Sequence, residues 1–561
     1  MTDPSPFPAV AATAALLLLL AACVEMTVVT TSTGVTTIPT TVLSEPIEPE
    51  TPLRSAPCNT SANPTTIAAI AAPDPRTVVF RLCRPDGAFL SKLAYPTMTI
   101  QPSEHLIASN GAPLDRPIGT GSYRFLDWHQ EDGVTLERFE DYWGERPHTD
   151  RIVFRWFVDT VTRETAIEAG EIDVMAVTDE DLSDLADRFD FERVDFAELN
   201  VVYLGINRDV EALADPRVRT AIAAAVDKQT IVDDLFPDGT SAAAQFLPPG
   251  VPGYPAAAGS PGFDPEAAAE LLDNLGLEDL QLDLAFRDAP SRYLPDPAAV
   301  AEMIENDLAA VGIDVVLRPL ESAEFLRALD AGELALYLMG WEAAYPDATE
   351  FLDFHFGTNA SRQFGEHYPA IESLLTDAAI TADQATRNDL YRQAAILLGE
   401  EVPAVPIAHS GGQLARQVDV TGLAISPIGT DPLWAVDPGP RDVLGWMQPA
   451  APSSLYCADE SDRDTFRICH QMLETLITYD FEANELRPLL AESYKVDAAG
   501  TTWTFQLRDG VSFHDGTTFD SEDVFASFVA QWDDSSPLHT GRSGAFVYFA
   551  IMFGGFLSEA G

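Results

Sequence analysis

Strand-like and helix-like segments alternate along most of this chain, and that alternation limits the fold more than any other feature. Trp503, Phe505 and Leu507 alternate with Thr504, Gln506 and Arg508, the period of two that buries one face of a strand and wets the other. The run Thr-Val-Val-Phe-Arg-Leu-Cys from Thr77 to Cys83 repeats the pattern. Asp215-Pro216 and Asp264-Pro265 each place an acceptor side chain before a proline at the first helical position, so both predict helix starts, and Gly276 predicts the second helix's stop. Residues 300–320 read as helix, Gly312 and strand, followed by a further helix and the strand Leu-Ala-Leu-Tyr-Leu-Met-Gly-Trp. Alternation of this kind builds sheets covered by helices, and 561 residues exceed one simple core. An α/β protein of two or three lobes is expected.

The N-terminus has a different character. Ala9 to Ala22 is almost wholly small and apolar, with Leu16 to Leu20 at its centre. Fourteen residues are too few to span a bilayer but suit the apolar core of a signal peptide. Leu20-Ala21-Ala22-Cys23 looks like a lipobox, which predicts removal of residues 1–22 and acylation of Cys23; no Lys or Arg precedes Arg54. Two acyl chains would anchor the protein to a membrane. Residues 24–57 are rich in Thr and Pro and show little apolar periodicity, so 23–61 reads as anchor and extended tether. The head beyond it has no second long apolar run and is expected to lack a pore of its own.

Four further cysteines, Cys58, Cys83, Cys457 and Cys469, form an even set without a C-x-x-C pair. In an exported chain that favours disulfides over metal. Three pairings are open; Cys457–Cys469 and Cys58–Cys83 close the shortest loops and are preferred. The nine histidines are scattered with no paired zinc motif, so no metal and no cofactor is expected.

Eighty-eight acidic residues against 33 basic ones give a formal charge of −55. Such a surface repels phosphate backbones and excludes nucleic acid as a partner. It reads as a solvated acidic surface, with an acidic cleft for cationic ligands as the sharper alternative. No G-x-S-x-G or P-loop motif appears, and an enzyme is not expected.

A resemblance makes this more specific. Residues 486–528 (LRPLLAESYKVDAAGTTWTFQLRDGVSFHDGTTFDSEDVFASF) resemble the entry segment of bacterial extracellular solute-binding proteins of family 5, with its T-F-x-L-R-x-G-V-x-F-H-D-G run. Residues 116–147 (RPIGTGSYRFLDWHQEDGVTLERFEDYWGERP) resemble its P-x-G-T-G-P-Y block and Y-W-G turn. ETAIEAGEIDV, DPRVRTAIAAAVDK and LMGWEAAYPDATEFL are similar to further blocks. The resemblance implies a two-lobed periplasmic-binding-protein fold of type II, like the large cluster C, with an extra small lobe. It implies a monomer that captures peptides or a related organic solute, and that works with an ABC permease and ATPase at the outer face of the cytoplasmic membrane or in the periplasm. A secreted hydrolase of peptides or glycans and a non-transporting sensory paralogue are the alternatives.

In the family the H-D-G block precedes the G-T-G block. Here it follows, and RDVLGWMQPAAPSSLY (441–456) resembles the family's first strand and loop. This order implies one circularly permuted domain over 62–561. Its parts are a small lobe from 62–115 and 456–561, a first lobe from 116–207 and 406–455, and a second lobe from 208–405.

The resemblance also nominates ligand-binding positions. Peptide carriers of the family usually have W-x-x-D after the G-W strand, its carboxylate pairing with the ligand's amino group. Here the run is Trp341-Glu342-Ala343-Ala344, so Ala344 stands where Asp is expected. Glu342 and Asp347 are candidates to replace it, and Trp341 and Tyr345 to line the pocket. Met447, Gln448 and Pro449 are placed at the cleft by the same resemblance. His514-Asp515-Gly516 could be taken for a catalytic pair, but neighbours along a strand point to opposite faces, so a turn after Phe513 is the expectation.

Overall fold

The computed structural model describes residues 54–60, 63–130, 132–157, 160–177, 185, 188–255, 259, 261–277, 280–291, 293–481, 483 and 485–558. Residues 51–561 form one compact unit. The leader, Cys23, most of the tether, Ala62 and Gly561 lie outside the described residues.

Three larger sheets organise the head. The five-stranded sheet joins both ends of the chain: Thr77–Leu82 lies between Ile67–Asp74 and Thr502–Leu507, with Ala491–Val496 beyond. All these pairs are antiparallel, and Phe80 faces Trp503 while Val78 faces Phe505. The alternation read from sequence sets this register: Val78, Phe80, Trp503 and Phe505 are buried, with Phe89 and Phe528 packed edge-on against Phe80. The tether reading needs a correction at its end. Arg54–Ser55 adds a strand to this sheet, and Cys58 is disulfide-bonded to Cys83, so residues 54–60 belong to the head. The other pair is Cys457–Cys469.

The seven-stranded sheet runs Tyr123–His129, Gly133–Arg138, Arg151–Arg155, Val443–Met447, Val174–Ala176, Gly411–Gln417 and Phe191–Ala197. The six-stranded sheet runs Ser241–Ala242, Ala404–His409, Asn200–Ile206, Leu336–Glu342, Leu280–Arg287 and Ile313–Leu320. The last two of these are parallel to each other and are joined by the helix Pro297–Ala310. The helix signals operate as expected: Asp215 and Asp264 accept from Arg217 N–H and Ala267 N–H, and Gly276 caps the second helix at φ 67°.

The chain crosses between these two sheets twice, at Glu198–Leu199 and at Ser410. This corrects the lobe boundaries, because residues 200–206 and 406–409 pair in the six-stranded sheet and not with the first lobe. Asn200 ties the crossings together. Its Oδ1 accepts from Ser410 N–H at 2.7 Å, its Nδ2 donates to the Ser410 carbonyl at 2.9 Å, and its own carbonyl lies 2.8 Å from His409 Nδ1.

The sequence blocks meet in space. His514 Nδ1 accepts from Gly119 N–H at 3.3 Å and its Nε2 donates to the Gly121 carbonyl at 3.0 Å, so the ring clamps the G-T-G loop. Burial pushes this imidazole down to about 4. The segment Phe513–Thr517 is a turn, closed by Phe513 N–H to the Thr517 carbonyl and by Gly516 N–H to the Phe513 carbonyl. Glu474 performs a second weld: its buried carboxyl accepts from Thr120 Oγ1 at 2.7 Å, Tyr142 OH at 2.8 Å and Trp143 Nε1 at 2.9 Å.

Candidate functional site

Glu342 ends its strand directly against the first crossing. It is paired with Asn200 in the antiparallel register, and Ala343 N–H donates to the Leu199 carbonyl at 2.9 Å. Facing it is Arg463, the first residue of the helix Arg463–Met472, whose cap Asp462 accepts from Thr465 N–H. This helix is fixed on the seven-stranded side. Arg467 bonds Asp431 at 2.5 Å and lies 4.7 Å over the Trp446 ring, while Gly121 N–H donates to the Met472 carbonyl.

Arg463 therefore reaches from one lobe to the crossing and to the other lobe. Its Nη1 lies 2.7 Å from Glu198 Oε1 and its Nη2 lies 3.4 Å from Glu342 Oε1. Burial alone would lower this guanidinium's affinity for its proton, but the two carboxylates outweigh it and raise the value. Tyr95 and Tyr548 pack with ring centroids 4.7 Å apart beside the same charges. Burial raises both hydroxyls, and Glu342 adds to the effect.

The strand end divides the expected residues sharply. Trp341 is half-buried, stacked on the exposed Phe354 at 4.1 Å, and its Nε1 is shielded without a hydrogen-bond partner among the described residues. Ala344 carries no charge, but its N–H donates to Glu350 Oε2 at 3.1 Å. Burial raises the Glu350 carboxyl, against the opposing pull of that hydrogen bond and of Lys92. Lys92 is itself held by Asp86 at 2.6 Å. Tyr345 is buried with its hydroxyl 3.4 Å from Thr349 Oγ1.

Asp347 is fully engaged inside the protein. It is 1% exposed and accepts from Arg387 Nη1 and Nη2 at 2.9 and 2.6 Å, from Ser91 Oγ at 2.8 Å and from Thr349 N–H and Oγ1. Burial pushes its carboxyl up, yet the Arg387 charge and these donors hold it down at about 2. Met447 packs in a core with Ile167, Ile172, Met175 and Phe191. Gln448 is buried, donating to the Ala450 carbonyl, and Pro449 is exposed in the following bend.

Sequence reading missed Arg463, Glu198, Tyr95, Tyr548 and Glu350. They come from five distant segments, on helices and connections and none within a strand, and only the tertiary fold brings them together. Arg463 had one signal, a basic residue between two acids in a chain poor in basic residues.

A profile of bacterial extracellular solute-binding proteins, family 5 (middle), matches residues 41–363 and 485–545. The chain belongs to family 5. Among its relatives, the dipeptide-binding protein of Escherichia coli K12 is 30% identical over 377 residues, covering 65% of this chain and 70% of that one. Heme-binding protein A of Haemophilus influenzae is 28% identical over 385 residues, covering 66% and 70%. The solved structure of HbpA2 from Haemophilus parasuis matches with a TM-score of 0.61 and 26% identity over 67% of this chain and 76% of that one. This family 5 protein thus has the type II two-lobed fold, and its family is one of solute-binding proteins and not of enzymes.

Proposed function

We propose that this protein captures peptides, or closely related organic solutes, between its two large lobes and hands them to an ABC permease on the outer side of the cytoplasmic membrane. The observation that carries the reading is the pair of crossings at Glu198–Leu199 and Ser410, because two short connections between sheets act as a hinge. Ligand contacts made to both lobes would favour the closed state over the open one, and no bond need be broken. Peptide is favoured as the ligand class by the dipeptide-binding relative and by the aromatic and charged groups at Trp341, Glu342, Tyr95 and Arg463. Calorimetric titration of the purified protein with di- and tripeptides tests this: saturable one-to-one binding is expected, and absence of binding across a chemically varied panel would overturn it.

The same proposal includes a lipid anchor at Cys23 and a permuted chain order. Cys23→Ser should release the protein from membranes, and unchanged retention would remove the anchor. The antiparallel pairing of Thr77–Leu82 with Thr502–Leu507 supports permutation. A re-ordered chain that starts at Arg441 and runs through Gly561 into Arg54–Pro440, keeping the edge strand and the Cys58–Cys83 disulfide, should fold with an unchanged melting temperature. Aggregation of that chain would count against permutation.

A further inference from the structure

The two crossings have a neighbour that is not part of either connection. Pro237–Thr240 is a turn of the second lobe, closed by Thr240 N–H to the Pro237 carbonyl at 3.3 Å. It follows the helix Lys228–Leu235 and runs into Ser241–Ala242, which pairs with His409 and Ala408. Its tip leaves that lobe and lies on the seven-stranded side. Gly411 N–H donates to Thr240 Oγ1 at 3.2 Å, and Asp238 is ion-paired with Arg193 on the strand Phe191–Ala197. The chain makes room for this approach with glycine. A Cβ on Gly411 would stand 2.2 Å from the Gly239 carbonyl oxygen, and one on Gly239 would stand 3.0 Å from the Gly412 carbonyl oxygen and 3.2 Å from Asp195 Cβ. Ordinary contacts between carbon atoms begin near about 3.5 Å, so a side chain at Gly411 must displace the turn or the lobe that carries it.

We infer that the turn Pro237–Thr240 is a stop built into the hinge, and that its bearing on Gly411 sets the angle between the two large lobes. The inference rests on the closure reading and names what governs that motion. The tip reaches Asp195 just before the first crossing and Gly411 just after the second, so it spans the hinge as a third thread that is not covalent. The turn is anchored behind as well. Ala243 N–H donates to the Ile407 carbonyl and the Ala243 carbonyl accepts from Lys228 Nζ, each at 2.9 Å. A wedge between Gly239 and Gly411 is therefore passed on to the lobes while Asp238 holds the tip down. A change of angle alters the share of molecules in the closed state, and apparent affinity follows that share. Gly411 acts on the ligand through the lobes, as a positioning residue.

The test reads two quantities on the full chain: the radius of gyration without ligand, by small-angle X-ray scattering, and the Kd for the tripeptide Leu-Ala-Leu. Gly411→Ala should shift the Kd at least about fivefold, and the two readings should move together, a smaller radius with tighter binding or a larger radius with weaker binding. Adding Asp238→Asn lets the tip lift off the new methyl group and should return both readings most of the way to wild type. Asp238→Asn alone should change either reading little, because the pair it removes is exposed. Should Gly411→Ala fail to fold, Asp238→Asn combined with Thr240→Val, which releases the tip altogether, carries the test and should also move radius and affinity together. A lower melting temperature with both readings unchanged overturns the inference, as do readings that move in opposite senses or an effect that Asp238→Asn leaves in place. If wild-type protein binds no peptide, the peptide reading fails on its own, and the radius and its reversal by Asp238→Asn still decide the inference.

Discussion

Glu342 and Asp347 stand five residues apart on the same run, and the structure gives them opposite work. Glu342 sits at a strand end, a third exposed, and its contact to Arg463 is a long one at 3.4 Å. Asp347 is sealed between Arg387, Ser91 and Thr349 with both oxygens satisfied. A carboxylate with every lone pair taken inside the core is structural, however near the cleft its sequence neighbours lie. A partly wet carboxylate at a long distance from its cation is held less firmly. Position along the chain does not tell these apart; the number and geometry of partners does.

Asp347→Asn should produce the largest effect that sharpens this contrast. It leaves the Arg387 guanidinium buried without its counter-charge, which costs roughly 3–5 kcal/mol. Urea unfolding measures it, and a loss below about 1 kcal/mol would break the comparison. The pH dependence has a definite sign. The carboxyl is held at about 2 when folded and returns to about 4 when unfolded. Its contribution is complete above that unfolded value and is lost as pH falls through about 2.

Glu474 is the informative opposite, a buried carboxyl served by neutral donors. Burial pushes it up to about 7, with the hydrogen bonds from Thr120, Trp143 and Tyr142 pulling the other way. Its contribution is therefore complete below about 4.3, the unfolded value, and is lost as pH rises through about 7. Glu474→Gln should flatten the fall in stability across that window in melting curves. A wild-type curve already flat there would contradict the assignment.

His514→Ala should cost roughly 1–3 kcal/mol, since it removes both bonds to the G-T-G loop and leaves buried backbone groups unpaired. An unchanged unfolding midpoint would show that the ring does not hold that loop. Glu342→Gln should be the mildest of the series. Its partly exposed contact to Arg463 is worth no more than about 1 kcal/mol to stability, so unfolding should hardly move while peptide binding weakens.

Much of the fold was legible because its signals are local. The alternation at Trp503, Phe505 and Leu507 and the Asp-Pro starts at 215 and 264 are set by the pleat and by capping, and the structure carries them unchanged. The strand boundaries near 200 and 406 were not legible, because which sheet a buried strand joins depends on its neighbours and not on its own pattern. Most of the site was hidden for the same reason. Trp341 and Glu342 are at the lobe junction, but Arg463 and Glu198 are 265 residues apart in sequence. Met447 and Asp347 looked available because their burial is imposed by helices and strands elsewhere in the chain.

Closure of the two lobes on a peptide about the crossings at Glu198–Leu199 and Ser410 is measurable in solution. Small-angle X-ray scattering of the purified protein, recorded with and without a saturating free tripeptide, tests it most directly. The radius of gyration should fall on binding and should fall less in Arg463→Gln at equal occupancy. Saturable binding of the peptide with an unchanged radius of gyration would rule out closure about these crossings.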